Sequence, residues 1–106
     1  MSRILVVDDE KEIRVQIIGY LKTLLDVEII EADGGHLALK LLQSEAFDLV
    51  TSDLCMWEGN GFELFVQMQR KKISIPLIFL PAHTEGLIEM ASPLLPLLKS
   101  PSFLFL

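Results

Sequence analysis

Two short apolar runs, each ending on carboxylates, constrain this chain more than any other feature. Ile4-Leu5-Val6-Val7 runs into Asp8-Asp9-Glu10, and Phe47-Asp48-Leu49-Val50-Thr51-Ser52 runs into Asp53. Such short aliphatic and β-branched runs read as strands covered on both faces, as in parallel sheets. In an open parallel sheet, ligands bind beyond the carboxyl ends of the strands. Carboxylates gathered at that edge repel one another unless a cation neutralises them. The pattern predicts a small hard-metal site with a carboxylate oxygen to spare.

The rest of the chain alternates helix and strand signals. Lys11 to Leu25 places Ile13, Ile17, Tyr20, Leu21 and Leu24 at helical spacing. Val27 to Ile30 is a second strand, and Gly34-Gly35 separates it from a helix with Leu37, Leu41 and Leu42 on one face. After the third strand, Gly59-Asn60-Gly61 punctuates the chain before a helix carrying Phe62, Phe65, Val66 and Gln69. Pro76 to Leu80 is a fourth strand, with proline at the first position, where a missing donor is tolerated. Beyond Leu80 the pattern changes. Thr84 to Leu98 holds a helical stretch with Thr84 as its N-cap, but Pro93 and Pro96 cut it short. Ser102 to Leu106 reads as a fifth strand.

The expected fold is α/β: a doubly wound parallel five-stranded sheet with helices on both faces. It is one domain over residues 1–106, regular through residue 82 and divergent over 83–106. The last helix such a unit needs is missing from the pattern. That leaves apolar surface uncovered, so a homodimer through the C-terminal third is expected.

Composition narrows the function classes. A net charge of −6, with basic residues scattered except at Arg70-Lys71-Lys72, argues against a nucleic-acid partner. The single cysteine, Cys55, excludes an internal disulfide and suits a reducing compartment. Only four apolar residues precede the first acidic cluster, too few for a signal peptide, and no uncharged run reaches the roughly 20 residues of a membrane span. A cytoplasmic domain is expected.

Asp8, Asp9 and Asp53 make an acidic pocket of the kind that holds Mg²⁺ with few protein ligands and several waters. Such an ion neutralises charge as a phosphoryl group moves onto a carboxylate nucleophile. The segments Arg3-Ile4-Leu5-Val6-Val7-Asp8-Asp9-Glu10 and Asp53-Leu54-Cys55-Met56, together with Gly61, resemble the receiver domain of bacterial two-component response regulators. The resemblance covers residues 1 to about 82 in motif and spacing.

The resemblance implies a flavodoxin-like sheet and a phosphoacceptor that is not itself an enzyme. On it, Asp53 accepts the phosphoryl group, Asp9 binds the metal directly and Asp8 acts largely through water. The main-chain carbonyl of Cys55 is the remaining protein ligand, and the donor is a sensor histidine kinase or a phosphotransfer protein. Three positions depart from the family pattern. Trp57 stands where proline is usual. Pro81, followed by Ala82, stands where a serine or threonine hydroxyl would contact the phosphoryl group. Lys99, in Lys99-Ser100-Pro101, is the nearest counterpart of the switch lysine and precedes the expected fifth strand. These departures leave two readings: a phosphorylatable receiver, or a receiver-like interaction and dimerisation module with an impaired switch. Glu10 reads as a helix-start acid, and His36 and His83 as surface histidines.

Overall fold

In the computed structural model, residues 2–53, 61–80 and 104–105 are described. The elements run β1 (Ser2–Val7), α1 (Lys11–Leu24), β2 (Val27–Ala32), α2 (Gly35–Ser44), β3 (Leu49–Asp53), α3 (Gly61–Arg70), β4 (Leu77–Leu80) and β5 (Leu104–Phe105). All pairings are parallel, in the order β2-β1-β3-β4, with the two residues of β5 alongside β4. The chain thus winds outward from β1 to β2, then crosses back past β1 to β3. The edge between β1 and β3 is the topological switch point, where such sheets open a crevice at their carboxyl ends.

Strand alternation sorts the core into two layers. Leu5, Val7, Val50, Leu77 and Phe79 face one side and pack with Ala38, Leu42, Leu64 and Met68 of α2 and α3. Ile4, Val6, Leu49, Ile78 and Leu80 face the other and pack with Ile13, Ile17 and Leu21 of α1. Because both faces are covered, Ile4–Val7 of β1 and all of β4 are apolar at every position, as their sequence foretold. No helix among the described residues is long and apolar enough to cross a membrane.

The structure corrects two helical faces. On α2 the buried positions are Ala38 and Leu42, with Leu41 half-buried and Leu37 exposed. On α3 they are Leu64 and Met68, while Phe62 is 55% exposed and Gln69 lies outside the core. Ala38 rather than Leu37, and Leu64 rather than Phe62, sits against the sheet, the bulkier neighbour being turned outward. Phe65 is intermediate; its ring meets Phe79 edge-on at 6.3 Å. Strand boundaries also move: β3 begins at Leu49 and includes Asp53, and β4 begins after Pro76, whose carbonyl accepts from the Val50 N–H. The expected Thr84–Leu98 helix and the C-terminal dimer surface lie outside the described residues.

Two backbone details can be improved. Helix α3 ends in a paired closing turn: the Lys72 N–H reaches the Gln69 carbonyl and the Ile73 N–H reaches that of Met68. Lys72 closes it with φ 57°, a left-handed conformation that favours glycine. Gly19, exposed in the middle of α1, has nothing within 4 Å of where a Cβ would stand. Lys72→Gly and Gly19→Ala are each expected to raise stability by about 0.5–1 kcal/mol. Urea denaturation checks this; a midpoint at or below that of the wild type contradicts it.

Candidate functional site

Register brings the acids together. Val7 pairs with Ser52 across β1 and β3, so Asp8 and Asp53, each one residue further on, emerge at the same level. Asp8, Asp9 and Asp53 each offer a carboxylate oxygen, all within 4.8 Å of one another, and no other such acidic cluster occurs among the described residues. Asp8 is 3% exposed and Asp53 7%, while Asp9 is intermediate. Three hard oxygen donors with two nearly sequestered fit a small divalent cation better than a soft one.

Asp8 records the strain of this crowding. Burial first, then the charges of Asp53 and Asp9, push its carboxyl up to about 6 from an ordinary value near 3.8, against the Glu10 N–H that it accepts at 2.8 Å. The folded chain therefore keeps a proton that the unfolded chain releases. The stabilising contribution is fully present below about pH 3.8 and is lost as pH rises through about 6. At neutral pH the metal-free domain carries a penalty of about 1–2 kcal/mol after allowance for solvent screening. Asp8→Asn is expected to melt higher than the wild type at pH 7 without divalent ions, the gap closing towards pH 4. Parallel melting curves across that range contradict the assignment.

The pocket is held from behind on both sides. At β3, the Ser52 hydroxyl donates to the Asp53 carbonyl at 2.9 Å, and the first residue of α3, Gly61, lies directly against that carbonyl. A Cβ at Gly61 would overlap the Asp53 carbonyl oxygen and stand 2.8 Å from Ser52 Oγ. At β1, the Asp8 N–H donates to the Ala32 carbonyl, and Arg14 of α1 donates from Nη1 to the Asp8 carbonyl at 2.7 Å. Arg14 Nε binds Glu31 of β2 at 2.9 Å.

Of the residues singled out in the sequence, Asp8, Asp9 and Asp53 converge. Cys55, Trp57, Pro81, Ala82, His83 and Lys99 lie outside the described residues. Leu80, the last residue of β4, pairs with Asp53, and Pro81 follows it directly in the chain. Glu10 is the N-cap of α1 but makes no side-chain cap bond, and His36 is exposed in the first turn of α2. Arg14 and Ser52 were missed. The available signal for Arg14 was its place one helical turn beyond Glu10 and six residues after Asp8, with an acid, Glu31, just before the end of the neighbouring strand.

Comparison with known proteins agrees with this geometry. The sequence profile of the response regulator receiver domain matches residues 4–93. The transcriptional regulatory protein GlrR of Escherichia coli K12 is 34% identical over 82 residues, 77% of this chain and 18% of that protein. The response regulator SaeR of Staphylococcus aureus USA300 is 32% identical over 88 residues, 80% of this chain and 36% of that protein. The chain thus spans about a fifth to a third of these curated relatives. Among solved structures, the response regulator TrrA of Thermotoga maritima, in complex with Mg²⁺–BeF, superposes with a TM-score of 0.74 at 32% identity, covering 100% of this chain and 87% of that one. The Francisella response regulator 1452 receiver domain gives 0.73 at 28%, covering 99% and 84%.

Fold and acidic edge define a flavodoxin-like signalling module. The chain belongs to the receiver domain family of two-component response regulators.

Proposed function

We propose that this chain accepts a phosphoryl group on Asp53, with Mg²⁺ held by Asp9, Asp53 and the Cys55 main-chain carbonyl, and with Asp8 acting through water. The convergence of three carboxylates at the β1/β3 switch point carries the reading. Phosphoryl transfer asks mainly for positioning and charge neutralisation. An Asp53 carboxylate oxygen attacks the phosphorus of a phosphohistidine. The O–P bond forms as the N–P bond breaks, and the electron pair stays on the imidazole nitrogen, which takes up a proton. When bound, Mg²⁺ screens the phosphoryl oxygens from the surrounding acids. Ser52 and Gly61 fix the Asp53 backbone so that its side chain is aimed in advance. Water attack on the acyl phosphate later releases inorganic phosphate and restores the carboxylate. The donor is a sensor histidine kinase or a phosphotransfer protein, the recipient of the signal is a downstream protein, and the setting is the cytoplasm.

Pro81 favours a second reading, in which the pocket is retained but the output is constitutive interaction or dimerisation. Leu80, the last residue of β4, pairs with Asp53, and the residue that follows it in the chain carries no hydroxyl with which to contact a phosphoryl group. Beryllofluoride, a phosphoryl mimic, separates the two. Binding that needs Mg²⁺ and Asp53, and that shifts backbone amide resonances in the C-terminal third, supports the phospho-switch. The same binding with unchanged C-terminal resonances and oligomeric state supports the interaction module. Absence of binding at millimolar Mg²⁺ contradicts both.

A further inference from the structure

The acids of the pocket are useful only if the peptide joining Asp8 to Asp9 is fixed, since that peptide sets where both carboxylates point. In this structure three polar groups of Asp8 have partners, one at the end of β2 and two on α1 and its N-cap. Its N–H goes to Ala32 at the end of β2, its Oδ1 accepts from the Glu10 N–H at the start of α1, and its carbonyl accepts from Arg14. The first two belong to backbone geometry that many substitutions would preserve. The third depends on one side chain.

Arg14 is unusually well placed for this. Its side chain is only 14% exposed although it sits on a surface helix. Its backbone N–H donates to the Glu10 carbonyl at 3.1 Å, which roots it in the turn that follows the acids. Glu31, itself 47% exposed, takes the Nε donor and turns the planar guanidinium so that Nη1 faces the Asp8 carbonyl. A guanidinium can hold two acceptors in a fixed fork, which an ammonium cannot do with the same rigidity.

We propose that Arg14, aimed by Glu31, is a positioning residue that locks the Asp8–Asp9 peptide in its metal-binding orientation. This rests on the reading of the acidic pocket as a Mg²⁺ site. The alternative role of a cation at this place is electrostatic. A positive charge behind a cation site repels the ion, so its removal would tighten binding. Positioning and repulsion therefore predict opposite signs, and outer partners of metal ligands commonly change affinity by about 10–100-fold when removed.

The test is Mg²⁺ titration of the folded domain, followed by calorimetry and by the amide resonances of Asp8 and Asp9, for wild type, Arg14→Met, Arg14→Lys and Glu31→Gln. Far-UV circular dichroism confirms folding of each. Arg14→Met is expected to weaken Mg²⁺ about tenfold or more and to broaden or shift the Asp9 amide without metal. Arg14→Lys, able to reach one acceptor but not to hold both in the fork, is expected to fall between. Glu31→Gln keeps the acceptor and should stay within about threefold of wild type. If wild type binds Mg²⁺ and Arg14→Met binds it equally or more tightly, the positioning role is wrong and the pocket reading stands. If wild type binds no Mg²⁺, the pocket reading falls and this inference with it. Should Arg14→Met fail to fold, Arg14→Lys at wild-type affinity overturns the proposal by itself.

Discussion

Gly61→Val is expected to lower stability by about 3 kcal/mol and, for a domain of this size, the melting temperature by about 10 °C or more. The cause is steric and involves backbone, which cannot swing aside. A Cβ at Gly61 would fall on the Asp53 carbonyl oxygen and press on the Ser52 hydroxyl that donates to the same carbonyl. Relief requires α3 to lift from β3 or the end of β3 to shift. The first opens the layer in which Leu64 and Met68 pack against Val50 and Phe79. The second moves the residue proposed as phosphoacceptor. Stability and Mg²⁺ affinity should therefore fall together, unlike the pattern for Asp8→Asn, where neutral-pH stability rises while metal binding falls. Thermal melts with and without Mg²⁺ separate the two. A Gly61→Val protein melting within about 2 °C of wild type would show that the close approach at Asp53 is not real.

Much of this architecture was legible in the sequence because it depends on local pattern. Ile4 to Val7 and Leu77 to Leu80 are apolar at every position, and such short runs bounded by polar or turn residues suit a strand covered on both sides. Asp8, Asp9 and Asp53 stood out because carboxylates directly after such runs must lie at one edge of a parallel sheet. The helices were less readable. Several apolar residues compete for the buried stripe of α2 and α3, and the choice of Ala38 over Leu37, or Leu64 over Phe62, is set by the space between helix and sheet rather than by periodicity. The contacts behind the site were not legible for a related reason. Arg14 meets the Asp8 carbonyl and Glu31 only once β1, α1 and β2 are assembled. The need for glycine at 61 likewise comes from the approach of α3 to the end of β3, a distance no local spacing encodes.

The other large effect is expected at Asp53. It is 7% exposed, shares the pocket with two further acids, and has its backbone fixed from two sides. A carboxylate so placed is a poor nucleophile while its neighbours' charges repel an incoming phosphoryl group, and a competent one when a divalent cation screens them. Labelling should therefore depend on both the ion and this one oxygen donor. Asp53→Asn keeps the shape of the side chain and one acceptor oxygen but puts an amide donor in place of the other and removes the nucleophilic carboxylate.

The most direct measurement is intact-mass spectrometry after incubation with acetyl phosphate, with and without Mg²⁺, on wild type and Asp53→Asn. The account predicts a single phosphoryl adduct on wild type that requires Mg²⁺, is lost on treatment with hydroxylamine as an acyl phosphate must be, and is absent from Asp53→Asn. An adduct of equal yield on Asp53→Asn, or none on wild type at millimolar Mg²⁺, would contradict it.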